Sequence, residues 1–135
     1  MLMQLKRVAA ELGLPFGERT MTYNSRRAQE LGKWAEDCGK GDAFHNAVFR
    51  AYFAQGQNIA KQDVLVNVAE SVDLSGEAAL RIIEERTYTE AVDKDWSQSF
   101  RAHVTAVPTF MINGDALVGA QTYKSLENFF VDHSE

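Results

Sequence analysis

The sequence predicts an α/β chain in which about five amphipathic helices run into a strand–strand–helix ending. Three observations predict it. Apolar residues recur at helical i, i+3, i+4 spacing over roughly residues 24–103. Ala106-Val107-Pro108-Thr109-Phe110 then leads into Met111-Ile112-Asn113-Gly114-Asp115. An apolar strand opened by proline and closed by Asn-Gly is how a short hairpin is written. Finally, Thr122 is placed to cap a last helix whose inner face is Tyr123, Leu126, Phe129 and Phe130.

In order along the chain, Met3 to Leu12 reads as a helix with Leu5, Val8, Ala9 and Leu12 on one face, stopped by Gly13 and Pro15. Phe16 to Tyr23 is expected to be extended. Asn24 or Ser25 caps a helix to about Asp37, with Ala28, Leu31, Trp34, Ala35 and Cys38 inward. Gly39 and Gly41 break it. Asp42 is expected to cap the next helix, in which Phe44, Val48, Ala51 and Tyr52 form one face, widened by His45, Phe49 and Phe53. Lys61 to Val72 is a further helix through Val64, Leu65 and Val68, and Ser75 opens another around Ala79, Leu80, Ile82 and Ile83. Tyr88 to about His103 is longer, with Ala91, Val92, Asp95, Trp96 and Phe100 inward. The hairpin strands are placed at Thr109–Ile112 and Ala116–Val118.

The length, 135 residues, suits a single core, and 45% hydrophobic with 24% charged content is that of an ordinary globular chain. A net charge of −5 argues against nucleic acid, since phosphate binding needs a basic face. No stretch approaches the roughly 18 consecutive apolar residues of a spanning helix, so no membrane is expected as a partner. The N-terminal residues lack a secretory pattern and the chain has one cysteine, which points to the cytoplasm.

Val107-Pro108-Thr109-Phe110 followed by Leu117-Val118-Gly119-Ala120-Gln121 resembles the cis-proline loop of the thioredoxin superfamily, most closely its DsbA/FrnE branch. Asn24-Ser25-x-x-Ala28-x-x-Leu31 and Phe49-Arg50-Ala51-Tyr52-Phe53, followed by Gly56 and Ile59, extend the likeness over most of the chain. Tyr23 stands where those proteins usually have proline. The resemblance implies a thioredoxin-like, DsbA-type fold in one domain, 1–135. Within it, about 24–103 is a helical insertion and 104–135 the C-terminal strand–strand–helix of an incomplete thioredoxin half. The expected activity is that of a thiol–disulfide oxidoreductase or isomerase. By that resemblance the chain looks like the back two-thirds of the pattern, with the first strand, active-site helix and second strand expected to be missing, and Cys38 alone can form no Cys-x-x-Cys. The chain is therefore expected to be inactive by itself, with no catalytic residue.

The resemblance also implies a cis Val107–Pro108 bond and a substrate-binding set of Val107, Pro108 and Thr109. There the backbone before the proline meets an extended peptide or a small, glutathione-like thiol as an added strand. On base rates a trans proline that merely fixes a bend is the commoner case. Cys38, near a helix C-terminus beside Glu36 and Asp37, reads as a half-buried small residue rather than a reactive thiol. His45, His103 and His133 lack metal spacing, His45 reading as a packed residue and His133 as part of a fraying terminus, so no metal or cofactor is implied. Asp93 and Asp95 fall on different helix faces and form no acid/base pair. Phe49, Tyr52 and Phe53 read as core. Two other functional readings stand beside the redox one: a relative of glutathione-dependent 2-hydroxychromene-2-carboxylate isomerase, and a non-catalytic binding or assembly module. A free apolar edge at Thr109–Ile112 would favour a homodimer, unless Arg19–Tyr23 folds back as a substitute strand.

Overall fold

Leu31, Phe44 and Leu65 are fully buried and fix where the N-terminal helices meet. Each such side chain stabilises the fold by roughly 1.5–3 kcal/mol through burial. The structure is a computed structural model describing residues 1–134. It divides into two compact units, Met1–Asp93 and Lys94–Glu135.

The first unit is helical. Helix α1 (Leu2–Glu11) is followed by α2 (Arg26–Asp37), α3 (Gly41–Phe49), α4 (Gln62–Glu70) and α5 (Gly76–Glu85). Helix α2 packs on α3 and α5, and α4 packs on α3 and α5. Their small residues Ala35, Ala69 and Ala79 let the helices approach closely around the large ones. The Ser75 expectation holds, its Oγ accepting from the Ala78 amide; at α2 the N-cap is Ser25, whose side chain makes no cap bond, and Asn24 Oδ1, one residue earlier, accepts from the Arg26 amide. The Asp42 expectation does not hold. Lys40 is the N-cap of α3, and Asp42 lies in the first turn, where its charge still opposes the positive helix end.

After α3 the chain continues as a π-helical turn, Arg50–Ala54, in which the Gln55 amide donates to the Arg50 carbonyl at 3.0 Å. A helical periodicity cannot distinguish this wider turn from the α-helix before it. Residues 16–23 contain no strand; they are held instead by the Gly17 amide donating to the Phe53 carbonyl at 2.8 Å. Arg19–Tyr23 therefore supplies no substitute edge.

Helix α6 (Thr89–Arg101) begins in the first unit and ends in the second. The second unit continues with β1 (Thr109–Ile112), β2 (Asp115–Val118) and α7 (Tyr123–Asp132). The strands are antiparallel in the register Thr109↔Val118, Phe110↔Leu117, Met111↔Ala116 and Ile112↔Asp115. Asn113 and Gly114 both have positive φ, 53° and 92°, as a type I′ hairpin turn requires. Thr122 Oγ1 accepts from the Ser125 amide and caps α7.

The expected burial fails in this second unit. Among its described residues none is fully buried; Phe100 and Tyr123 are each 80% exposed, and Trp96 and Phe130 are also exposed. Periodicity identifies an apolar face but not the layer that covers it. A two-stranded sheet with one helix offers little such layer. Leu126 and Phe129 do reach partial burial.

Candidate functional site

Helix α6 ends in a Schellman turn: the Val104 amide donates to the Ser99 carbonyl and the His103 amide to the Phe100 carbonyl, with His103 at φ 57°. His103 occupies a left-handed position usually given to glycine, so the stop was not legible as a glycine. The turn directs Thr105–Val107 outward toward the hairpin.

The Val107–Pro108 peptide bond is cis. Val107 is 88% exposed, and its amide and carbonyl make no hydrogen bond among the described residues. Its neighbours are held. The Thr109 hydroxyl donates to the Ala106 carbonyl at 2.6 Å, and the Gly119 amide to the Pro108 carbonyl at 2.8 Å. Gln121 Nε2 donates to the Val118 carbonyl at 2.7 Å, closing the turn after β2. The three candidate residues are thus one continuous stretch, exposed at Val107 and Pro108 and half-buried at Thr109, buttressed from the second strand. Beside it Trp96, Phe100, Val104 and Val107 help line a shallow trough of about 850 Å³.

His133 is not part of a fraying end. Its Nδ1 lies 2.7 Å from the Phe129 carbonyl and its Nε2 2.8 Å from Asp115 Oδ2, so it ties the end of α7 to the start of β2. Both partners are acceptors, so only the doubly protonated ring satisfies them together. The Phe129 carbonyl first, and Asp115 second, raise the imidazole pKa above its ordinary value. Asp115 is 18 residues away in sequence, too far for a local pattern to reveal.

The family model of the DSBA-like thioredoxin domain matches residues 1–131. The chain belongs to the DSBA-like thioredoxin domain family. It is also similar to the uncharacterized protein YwbO of Bacillus subtilis (strain 168), with 35% identity over 88 residues, 64% of this chain and 44% of the relative. This DSBA-like chain therefore aligns with less than half the length of that relative. The expected family and α/β, thioredoxin-like class stand: the hairpin and α7 follow the helical block in the order the motifs implied. No helix among the described residues of this DSBA-like chain is long and apolar enough to cross a membrane.

The remaining candidates of the DSBA-like chain lie in its first unit. Cys38 is exposed rather than half-buried. It is the C-cap of α2, and Gly39 at φ 70° turns the chain away just where the helical spacing would have carried it inward. His45 is also exposed and sits 3.3 Å from Glu36 Oε1. Phe49 and Phe53 are exposed rather than core, whereas Tyr52 packs against the core edge.

Two clusters of the DSBA-like chain have almost no signature in local sequence spacing. Glu30, 1% exposed, accepts from Arg86 Nε at 2.8 Å and Nη2 at 2.6 Å, from Arg26 Nε at 2.9 Å, and from the Thr89 hydroxyl at 3.3 Å. The Arg86 hydrogen bonds, with Arg26 behind them, outweigh burial and hold the carboxyl down at about 2. Arg26 also donates to the Thr89 carbonyl and to Asp93 Oδ1. Its i, i+4 spacing from Glu30 was the one available signal. The second cluster is Arg19, whose guanidinium carbon lies 4.0 Å from the Tyr52 ring centre and 5.4 Å from that of Phe53. Its Nε and Nη1 are shielded from solvent and have no hydrogen-bond partner among the described residues, leaving ring faces as their neighbours.

Proposed function

We propose that Val107, Pro108 and Thr109 of this DSBA-like chain hold an extended peptide or a small, glutathione-like thiol, and that the chain does not catalyse thiol–disulfide exchange alone. The observation that carries this reading is the exposed Val107 backbone, with an unused donor and acceptor beside an apolar trough. An extended ligand can add main-chain hydrogen bonds there while its side chains meet Trp96 and Phe100. Family membership supports a thiol–disulfide oxidoreductase-type relation. Exchange requires one thiolate to open the disulfide and a second thiol to release the mixed disulfide. Cys38 supplies at most the first. A single exposed thiol of this kind stays reduced in the cytoplasm, where we place the chain.

Insulin reduction by dithiothreitol is expected to run at its uncatalysed rate when the chain is added. A cysteine-containing peptide or glutathione is expected to shift the Val107 and Thr109 amide resonances. Val107→Pro, which removes the donor, is expected to weaken that binding about tenfold. Catalysis abolished by Cys38→Ser would refute the inactive reading, and absence of any shift at the loop would refute the holding role. Retention of glutathione but no peptide would favour the isomerase-like reading.

The same unit suits a homodimer. Strand β1 pairs only with β2 among the described residues, carries no charged residue, and belongs to a unit with much exposed apolar surface. Such edges recruit a further strand, and antiparallel pairing of β1 with its copy satisfies a two-fold axis. Light scattering is expected to give twice the chain mass at high micromolar concentration, with Met111→Lys shifting it to monomer. A monomer throughout would exclude the pairing.

A further inference from the structure

The first unit holds a second candidate site, a cavity of about 380 Å³ whose apolar wall is Tyr23, Val48, Phe49, Tyr52, Phe53 and Ile59. Ser25, Gln29 and His45 supply polar groups to the same cavity. Three features set it apart from a packing defect. Its volume lies within the range of small-molecule sites, and the pattern of apolar walls with a few polar groups is the usual one. Tyr52 and Phe53 enter the wall from the π-helical turn Arg50–Ala54, a rare conformation frequently found at functional positions. The turn sets their rings edge to face at 4.7 Å, with Arg19 stacked against Tyr52. Phe49, 59% exposed, and Phe53 leave aromatic surface in water that a ligand would cover.

We infer that this cavity binds a small, uncharged aromatic molecule carrying one hydroxyl group. The walls select an aromatic ring, since offset and edge-to-face contacts with Tyr and Phe favour one over an alkyl chain. Charge selects a neutral ligand. Among the described residues no Lys, Arg, Asp or Glu lines the cavity, and burying an unpaired charge there would be costly. The polar group has a partner: Ser25 Oγ accepts from Gln29 Nε2 at 2.9 Å and keeps its own proton to donate. His45 adds a ring nitrogen system already engaged by Glu36. A peptide is the weaker occupant, because none of the residues lining the cavity belongs to a β-strand whose edge could take its backbone.

Calorimetry of the full chain with p-cresol tests this. Saturable one-site binding is expected, with p-xylene, which lacks the hydroxyl, about fivefold weaker. Val48→Trp, which fills the cavity, should weaken p-cresol by at least about tenfold. Because that substitution can perturb folding, methyl resonances of the unaltered chain give a second readout: p-cresol should shift Ala28, Val48 and Ile59. No saturable binding, equal affinity for p-cresol and p-xylene, or shifts confined to Leu5, Leu12 and Leu14 would overturn the assignment. Tighter binding of a tyrosine tripeptide than of p-cresol would also overturn it, in favour of a peptide site.

Discussion

Glu30→Leu is expected to lower the stability of the N-terminal unit by about 3 kcal/mol at neutral pH, measured by urea unfolding followed by circular dichroism. Leucine fills the space, but it leaves Arg26 and Arg86 facing a buried position without their carboxylate. The expected loss sits at the lower end for broken buried pairs because Arg86 is 45% exposed and Arg26 retains Asp93. A double-mutant cycle with Arg86→Leu should recover part of the loss, since it removes one orphaned charge. The acid dependence has a definite sign. Glu30 is held at about 2, below its ordinary 4.5, so its contribution is complete above pH 4.5 and is lost as pH falls toward 2. The unaltered chain should therefore weaken across that window more steeply than Glu30→Leu. A loss under about 1 kcal/mol, or parallel acid profiles, would mean the network only breaks even against packing.

The Glu30 network also marks where reading the sequence stops. Local chemistry was legible: the Asn113-Gly114 turn, the Ser75 and Thr122 caps and both hairpin strands appear almost residue for residue where spacing and turn preference put them. The candidate loop was legible for the same reason, since Val107, Pro108 and Thr109 are adjacent in sequence. What was not legible depends on partners far along the chain. Arg86 and Thr89 reach Glu30 across 56 and 59 residues, and Asp115 reaches His133 across 18. Burial failed likewise. Trp96, Phe100 and Tyr123 obey a helical period, yet the period is silent on whether a second layer lies over it. The π-turn at Arg50–Ala54 escaped because its residues have ordinary helix-compatible chemistry.

Gly56→Ala is expected to destabilise the same unit by at least about 2 kcal/mol, for two reasons that a matched control separates. Gly56 has φ 64°, which any L-residue adopts at a cost. In addition, a Cβ there would lie 2.3 Å from the Glu18 carbonyl oxygen, a backbone atom that no rotamer change can move. Gly17 completes the crossing from the other side: its Cβ would lie 2.5 Å from the Gly56 nitrogen. Two backbone segments therefore touch with no side chain between them, and this contact holds residues 17–19 against the π-turn. Gly39 is the control. It has nearly the same conformation, φ 70°, with nothing within 4 Å of a built Cβ, so Gly39→Ala should cost only about 1 kcal/mol. The difference between the two measures the backbone crossing alone. The crossing also places Arg19 over Tyr52, so Gly56→Ala should loosen the aromatic wall of the cavity and weaken p-cresol binding, which Gly39→Ala should leave unchanged. Equal stability losses in the two variants would show that the Glu18 segment yields freely, and that the ring positions do not depend on it.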